Sequence, residues 1–219
     1  MAEPVAEHYD ARWGYRHLDA ERYERRRYGS LGRRINLRLT ERALARALAG
    51  VAPGGIVLDA PCGTGILSAF LRRQGFRVIG ADISPAMLAV ARRRGAALGH
   101  VRADLERPPC GPRSVDAVVS SRFMMHLPSD TRMRMFRIMA DLARGPVVAT
   151  VSHPYTWKSF QRGVRRMLGG NPKRSPRLTR SELAKEAARA GVRLERVIPV
   201  LPVMSEVWVV VLSTLPRSS

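Results

Sequence analysis

The hydrophobic and polar positions change their pattern at residue 56. From there the chain alternates short apolar runs with segments whose apolar residues recur at helical spacing, which is typical of a parallel sheet covered by helices on both faces. Seven apolar runs predict strands: IVLDA, RVIGAD, HVRAD, VDAVVSS, PVVATVS, VRLERVIPV and VWVVVL. A short turn separates the last two runs, which predicts an antiparallel pair at one edge of the sheet.

Local signals set the ends of the predicted helices. The first helix after a strand spans Thr64–Gln74, and Ser84 before Pro85 is a helix N-cap with proline in the first turn. Thr179 and Glu182 have the spacing of a capping box, so we expect the last helix to begin there. The segment SDTRMRMFRIMADLARG predicts a helix whose inward residues are Met133, Phe136 and either Met139 or Ala140.

The first 55 residues contain no strand pattern and predict a helical cover. The segment INLRLTERALARALAG predicts a helix that ends at Gly50 and packs against a sheet edge. Its apolar face consists of Leu37, Leu44 and Leu48. Upstream, AERYERRRYGSLGRR predicts a short basic helix or arm that is broken at Gly29 and Gly32.

Together these elements predict one domain over all 219 residues, with a doubly wound, mostly parallel seven-stranded sheet and an antiparallel edge strand. Its parts are a helical cover (1–50), a ligand-binding core (51–150), a basic lid or substrate insertion (154–178) and the last helix with the edge strands (179–219). The lid has no clear period, and connections that long within a compact domain are usually functional.

The chain carries 38 lysine and arginine residues against 18 acidic ones, a formal net charge of +20. This charge suggests an acidic partner such as RNA, an anionic membrane surface or a phosphorylated substrate. Arginine with plentiful alanine, glycine and proline is also what a GC-rich genome encodes on any surface, so the charge alone leaves both interpretations open. We expect the lid and the basic arm, Arg25–Arg27 with Arg33 and Arg34, to order around an anionic acceptor.

Other classes of protein are disfavoured by the composition. No run of about 18 uncharged apolar residues occurs, and charge begins at Glu3, which predicts a cytoplasmic protein without a membrane helix or secretory signal. Cys62 and Cys110 have neither a disulfide framework nor a metal-ligand spacing around them, so we expect no metal.

The loop PCGTG lies between a predicted buried strand and a helix, the context in which a glycine-rich motif is informative. Gly63 and Gly65 let the backbone turn sharply and approach a ligand closely. A dinucleotide site would have a third glycine at Ser68, and the lysine of a phosphate loop is absent. Asp59, at the end of the first strand, would repel a pyrophosphate but can accept hydrogen bonds from an ammonium group or water.

Two more carboxylates follow the next two strands. Asp82 ends the second strand, where a carboxylate can bind both hydroxyls of a ribose. Asp104 ends the third, where its side chain can accept from an exocyclic adenine amine while the Leu105 N–H donates to the adjacent ring nitrogen. Three acids over one glycine loop predict a ligand with amino-acid, ribose and adenine parts.

The segments VLDAPCGTG, VIGADISPAML, ADLERPP and SVDAVVSSRFMMHL resemble the successive motifs of class I S-adenosylmethionine methyltransferases, especially the branch of ubiquinone and menaquinone biosynthesis enzymes. The resemblance covers residues 45–150 and implies a Rossmann-like fold with S-adenosylmethionine as cofactor. It places the methionine part at Asp59 and the loop, the ribose at Asp82 and Ile83, and the adenine beside Met87. The cofactor-binding residues it implies are Asp59, Ala60, Pro61, Cys62, Gly63, Gly65, Asp82, Ile83, Met87, Asp104, Leu105, Ser120 and Arg122.

Methyl transfer needs little beyond positioning, because the sulfonium is already activated. A hydroxyl or carbon acid would also need a base, for which His126 past the fourth strand and His153 with Tyr155 past the fifth are candidates. Each histidine could equally be a hydrogen-bonded structural side chain.

The methyl acceptor that we expect is a small, anionic or lipid-linked molecule. RNA is an alternative that only the charge favours, and SSRFMM after the fourth strand lacks the signature of N6-adenine and N4-cytosine enzymes. A non-catalytic basic binding module with the same fold is the third hypothesis, against which the intact cofactor acids argue.

Overall fold

The structure, a computed structural model, describes residues 30–95, 97–157, 161, 167, 177–202 and 204–214. Its strands are β1 (Ile56–Asp59), β2 (Arg77–Asp82), β3 (Gly99–Arg102), β4 (Ala117–Ser120), β5 (Val147–Ser152), β6 (Val192–Pro199) and β7 (Val207–Thr214). Its α-helices are α1 (Leu31–Ala47), α2 (Ile66–Arg73), α3 (Pro85–Arg93), α4 (Ser129–Leu142) and α5 (Arg180–Arg189), and Met124–His126 form a 3-10 helix. The strands lie in one sheet in the order β3-β2-β1-β4-β5-β7-β6.

The sheet winds outward in both directions from a central first strand. Strands β1 to β5 are parallel, and β7 is antiparallel to both of its neighbours, β5 and β6. Val57 in β1 pairs with Val78 on one side and with Ala117 on the other. The predicted fold class is confirmed: a doubly wound, Rossmann-like sheet with its antiparallel pair at one edge.

Helices cover both faces of this sheet. Because β-α-β crossovers are right-handed, α2 and α3, which lead from β1 through β2 to β3, lie on one face, and α4, which leads from β4 to β5, lies on the other. Side chains alternate between the faces along a strand. Accordingly Val57 and Val148 belong to a buried cluster with residues of α1 and α2, whereas Leu58 and Val147 belong to a cluster with residues of α4 and α5.

The N-terminal helix α1 differs from its prediction at both ends. It runs through Gly32, so the predicted break there is wrong, and it ends at Ala47 instead of Gly50, with the Leu48 N–H donating to the Leu44 carbonyl. An exposed glycine in the first turn leaves the helix intact because packing further along holds it. The helix covers a face of the sheet, in one cluster with residues of β1, β4, β5 and β7, instead of lying along an edge.

A buried ion pair joins α4 to α5. Arg132, 2% exposed, donates from Nε to Glu186 Oε2 at 2.7 Å and from Nη2 to Oε1 at 2.6 Å. Its Nη1 donates to the Leu127 carbonyl at 2.7 Å, which satisfies the third side of the guanidinium. The predicted inward residues of α4 do pack against the core, Phe136 and Met139 fully and Met133 in part. The sequence did not predict the burial of Arg132 and Met135, which follows because α4 packs against α5 as well as the sheet.

Other helix ends follow the sequence signals closely. The capping box of Thr179 and Glu182 forms, and the Ser84 side chain accepts from the Met87 N–H.

Two other boundaries differ from the prediction. The helix α2 begins two residues later than predicted, because Gly65 takes a left-handed conformation (φ 77°) immediately before it. The third strand ends at Arg102, two residues before Asp104.

Several predictions fall on residues that the structure does not describe. Of the predicted lid, only 154–157, 161, 167, 177 and 178 are described, and the break at Gly29 and the arm at Arg25–Arg27 lie outside the described residues. Within the described ranges, no helix combines the length and apolar character needed to cross a membrane.

Candidate functional site

A cavity opens where the carboxyl ends of β1, β2 and β3 meet, with α1 along one wall. It is lined by Leu37, Thr40, Glu41, Leu44, Asp59, Ala60, Pro61, Cys62, Gly63, Thr64, Ile66, Leu67, Ala81, Asp82, Ile83, Met87, Ala103, Asp104, Leu105, Pro109, Ser121, Arg122 and Phe123. In an open α/β sheet this edge is where ligands bind. The structure therefore brings together almost all of the sequence-predicted cofactor residues.

The glycine loop is held to the second strand by its own backbone. The Cys62 N–H donates to the Ala81 carbonyl at 2.8 Å, and the Gly63 N–H donates to Asp82 Oδ2 at 2.8 Å. Gly63 has a φ of 55°, and a Cβ there would meet no atom of the described residues within 4 Å. Glycine is favoured at this position because the backbone is left-handed and the space in front of it belongs to the cavity.

Asp59 is the most deeply buried carboxylate at the cavity, with 1% of its surface exposed. The Ser68 hydroxyl donates to its Oδ2, while Oδ1 has no hydrogen-bond partner among the described residues. Burial raises the pKa of Asp59 to about 7; hydrogen bonds from Ser68 oppose the rise and the charge of Asp82 adds to it. An acceptor atom buried without a donor is the feature that a cationic ligand, or water held by one, would satisfy.

Asp82 both binds the backbone of the glycine loop and lines the cavity. Its Oδ1 accepts from the Ser84 N–H at 2.9 Å, and its Oδ2 from Gly63. Burial raises the pKa of this carboxyl, against hydrogen bonds from the backbone of Ser84, Gly63 and Ile83. Each carboxylate oxygen keeps a second lone pair, which is what two ribose hydroxyls require.

The third carboxylate lines the cavity together with apolar side chains. Asp104 is half-buried, and its Oδ1 accepts from the Glu106 N–H at 3.0 Å in a tight turn. The same cavity is lined by Phe123 and by Met87 and Leu105, which are 2% and 9% exposed. Apolar side chains together with one carboxylate suit a heteroaromatic ring with an exocyclic amine.

One wall of the cavity was missed by the sequence reasoning. Leu37, Thr40, Glu41 and Leu44 reach the cavity from α1, a helix that the pattern assigned to a cover. Burial raises the pKa of Glu41, against the charge of Arg73, whose Nη2 lies 3.9 Å from Glu41 Oε1. The helical pattern predicts the buried face of α1, but no local signal indicates which strand ends it would cover.

Two predicted cofactor residues are adjacent to the cavity without lining it. Gly65 is the N-cap residue of α2, and Ser120 is fully buried in β4, where its neighbour Ser121 lines the cavity instead. Arg122 does line it, with a left-handed φ of 62° and its N–H donating to the Thr150 hydroxyl. A non-glycine residue held in this conformation beside a cavity is characteristic of functional sites.

The three candidate catalytic residues do not line the cavity. His126 is half-buried and ends the 3-10 helix that follows Phe123, to whose carbonyl its N–H donates at 2.9 Å. His153 is 3% exposed and stacks on Trp208 with ring centroids 4.4 Å apart, and its Nδ1 accepts from the Tyr155 N–H at 3.2 Å. Burial lowers the pKa of His153, against a hydrogen bond with the Ser205 backbone. Tyr155 itself is 57% exposed.

Comparisons of the sequence find methyltransferases. Residues 57–145 match the family model of a methyltransferase domain. Malonyl-[acyl-carrier protein] O-methyltransferase from Serratia marcescens is 44% identical over 69 residues, 32% of this chain and 27% of that protein. Ubiquinone biosynthesis O-methyltransferase from Hahella chejuensis (strain KCTC 2396) is 38% identical over 131 residues, 51% of this chain and 55% of that protein. The aligned part thus spans a quarter to just over half of these relatives, and the resemblance predicted from the motifs is confirmed there.

A comparison of the fold extends further along the chain. The crystal structure of magnesium protoporphyrin IX methyltransferase from Synechocystis PCC 6803 with bound SAH superimposes with a TM-score of 0.74. The match covers 94% of this chain and 100% of that chain at 21% sequence identity. At that identity the likeness concerns the fold, which agrees with the strand order described above.

Proposed function

On the premise of the methyltransferase domain that residues 57–145 match, we propose that the chain is an enzyme that transfers a methyl group from S-adenosylmethionine to a small-molecule or lipid-linked acceptor. The observation that carries the proposal is the set of three carboxylates around one cavity. Asp59 and Asp82 end two neighbouring strands, Asp104 follows the third by two residues, and all three line the same cavity with the glycine loop.

The residues present fit the cofactor part by part. Asp59 offers a buried Oδ1 without a described partner to an ammonium group or its water, and the cationic sulfonium would add to that attraction. Asp82 offers its remaining lone pairs to the ribose, and Asp104 with Leu105 would hold the adenine. When bound, the cofactor supplies an already activated methyl group; the chain would bind it, orient it and exclude water from it.

The acceptor class follows from the relatives and from the charge. Two of the relatives are by name O-methyltransferases, so we place oxygen ahead of carbon as the atom that is methylated. The formal net charge of +20 favours an anionic acceptor. An acceptor that is already ionised, such as a carboxylate, needs no base, whereas a hydroxyl or carbon acid does.

For an acceptor that must lose a proton, His126 is the base that we propose. The 3-10 helix that it ends begins directly after Phe123, which lines the cavity. His153 is less suitable because its ring is buried in the stack with Trp208, although its lowered pKa would keep it neutral. Tyr155 is exposed beside this stack and could contact an acceptor.

The first test is calorimetric titration of the protein with S-adenosylmethionine and with its demethylated product. We expect both to bind, and Asp59→Asn to weaken binding at least about tenfold because a neutral amide replaces the charged acceptor. Asp116→Asn is the matched control: this carboxylate accepts from the Ile56 N–H at 2.7 Å, at the opposite end of the same strand. A wild-type protein that binds neither compound would be a binding module without this activity.

The second test is a methyl-transfer screen with radiolabelled cofactor against separate metabolite, lipid and RNA extracts. We expect label in the metabolite or lipid fraction. Label in RNA alone would replace the small-molecule proposal with the RNA alternative that the charge favours.

A further inference from the structure

The two helical faces of the sheet differ strongly in charge. Helices α1, α2 and α3 carry nine arginines and one acidic residue, Glu41. Helices α4 and α5 on the other face carry six basic and four acidic residues. A genome-wide excess of arginine codons would place basic residues on both faces alike. The positive charge of the described helices is instead concentrated on one face.

The helix α1 presents most of this charge as a single stripe. The stripe consists of Leu31, Arg34, Ile35, Arg38, Arg42 and Arg46, all exposed and at spacings of three or four residues. These spacings place the six side chains on one side of the helix. The buried residues Thr40, Ala43, Leu44 and Ala47 lie on the opposite side, toward the sheet.

The arginines of the stripe have little opposite charge near them within the described structure. None of the four forms a salt bridge with a described residue. Glu41, the one acidic residue of α1, lies 3.9 Å from Arg73 of α2, and the charge of Arg38 also acts on it. Like charges at a spacing of four residues destabilise an isolated helix slightly. An anionic surface next to the stripe would relieve this repulsion.

We propose that this stripe docks on an anionic lipid surface. Two aliphatic side chains stand among the arginines, with Leu31 74% exposed and Ile35 49% exposed. Aliphatic side chains enter the boundary between headgroups and acyl chains while arginines bind phosphates, as in helices that lie in a membrane interface. A single-stranded nucleic acid would be expected to stack on exposed aromatic rings, and the stripe contains none.

Neighbouring helices extend the stripe into a wider surface. Arg73 holds α2 against α1 through Glu41, and Arg72 donates from Nη1 to the Gly95 carbonyl at 2.7 Å, which ties α2 to the end of α3. Arg92 and Arg93 are exposed near that end. Each basic residue near an anionic membrane adds to the attraction.

The position of the stripe suggests what docking would achieve. This step of the inference rests on the methyltransferase function proposed above. The helix that carries it also lines the cavity through Leu37, Thr40, Glu41 and Leu44. The stripe faces away from the cavity, so docking through α1 would leave one helix, about 10–12 Å across, between the lipid surface and the cavity. Docking would thereby shorten the path of a lipid-linked acceptor to the cofactor.

The test is flotation with vesicles of phosphatidylcholine alone and of phosphatidylcholine with phosphatidylglycerol in equal parts. The variant changes Arg34, Arg38, Arg42 and Arg46 to Gln, which has a similar helix propensity. The matched control removes the same charge from exposed positions of the opposite face: Arg134, Arg180, Lys185 and Arg189 to Gln. We expect the wild-type protein to bind only the anionic vesicles, the α1 variant to lose about 100-fold or more in affinity, and the control to stay within about threefold.

A second variant separates lipid docking from charge alone. Leu31→Ser with Ile35→Ser keeps every arginine, and we expect it to lose at least about tenfold in affinity for anionic vesicles. Equal losses in the α1 variant and its control, no effect of the serine changes, or binding to RNA without binding to vesicles would each overturn the proposal. Titration with S-adenosylmethionine is run on the same proteins, so that a lack of methyltransferase function is recognised separately from a lack of lipid binding.

Discussion

The two halves of the sheet's carboxyl edge are built on different principles. At the ends of β1, β2 and β3, carboxylates and backbone groups face a cavity, and the buried Asp59 Oδ1 has no partner among the described residues. At the end of β5, aromatic rings cover one another, with His153 stacked on Trp208 and Tyr155 at 5.7 Å from the same ring. One half is prepared for a charged and polar ligand, whereas the other is packed against itself.

The two halves also differ in their effect on the stability of the folded protein. The first half keeps two buried carboxylates within reach of each other, and burial raises the pKa of both. That arrangement opposes folding and is explained by a ligand that binds the charged form. The second half also buries a titratable group, His153, but burial lowers its pKa and so favours the neutral ring, which stacks on Trp208. Its residues can therefore be explained by packing until an acceptor is known.

The largest effect is expected in the first half, from Gly63→Val. The branched side chain would enter the cavity and oppose the left-handed φ of 55°, so cofactor binding should be lost. Gly54→Val is the matched control, since Gly54 also has a left-handed φ, 77°, and open space around it, but lies outside the cavity lining. Calorimetry should find normal binding in the control; normal binding in Gly63→Val would relocate the site.

His126→Ala tests whether the second half contributes chemistry. With an acceptor hydroxyl or carbon acid, the rate should fall at least about 100-fold while cofactor affinity stays unchanged, because a base is lost. With a carboxylate acceptor the rate should not change, since no proton has to be removed. Steady-state kinetics with both kinds of acceptor make the measurement, and an unchanged rate with a hydroxyl would remove His126 from the mechanism.

Asp82→Ala should weaken cofactor binding by about 1.5 to 3 kcal/mol. The loss combines the missing acceptor for the ribose with a looser glycine loop, because the Gly63 N–H loses its partner at 2.8 Å. Titration measures the affinity, and Asp82→Asn, which keeps an acceptor oxygen, should lose less. An affinity equal to that of the wild-type protein would exclude Asp82 from the site.

The raised pKa of Asp59 predicts a pH dependence of about tenfold between pH 6 and pH 8. With a pKa of about 7 the carboxyl is mostly protonated at pH 6 and mostly ionised at pH 8, so a cationic ligand should bind more tightly at the higher pH. Asp59→Asn should abolish the dependence. Titrations at both pH values make the test, and an equally steep profile in the variant would assign the dependence to another group.

The same shift predicts the opposite trend for stability without ligand. Because the folded pKa lies above the unfolded value, the contribution of Asp59 is fully present below about pH 4 and is lost as the pH rises through about 7. Relative to the wild-type protein, Asp59→Asn should therefore gain stability between pH 5 and pH 8. Chemical denaturation at the two pH values measures it, and a constant difference would contradict the raised pKa.

The smallest effect is expected from His153→Phe. Phenylalanine keeps the stack on Trp208 and removes the acceptor at 3.2 Å from the Tyr155 N–H together with the hydrogen bond to the Ser205 backbone, so stability should fall by about 1 kcal/mol and the rate by less than about threefold. Chemical denaturation measures the loss of stability, and steady-state kinetics on the same preparation measure the loss of rate. A rate loss above about tenfold would instead make His153 a catalytic residue. The second half could then no longer be explained by packing alone.

Much of the first half could be predicted from the sequence because its signals are local. A buried strand, a glycine turn and a helix start follow one another within Ile56–Arg73, and Asp82 ends its strand as the pattern predicts. Parallel strands bring their carboxyl ends to one edge whatever the details of packing. The three acids could therefore be assigned to one site before their distances were known.

The second half and the helix α1 could not be predicted in the same way, because their environment depends on contacts between distant segments. Periodicity does not predict that Arg132 is buried in α4, because its partner, Glu186, lies 54 residues further along the chain. Trp208 likewise decides that His153 is covered, although His153 follows a strand as an exposed rim residue would.

The sequence by itself determined where the strands lie along the chain, the glycine loop and the three acids, since each depends on neighbours within a few residues. Only the tertiary structure decided that α1 forms a wall of the cavity, that Ser121 faces it instead of Ser120, and that the arginines of the described helices gather on one face. The reason is physical: backbone preferences act over one turn or strand, whereas burial and pairing depend on which surfaces the whole fold brings into contact.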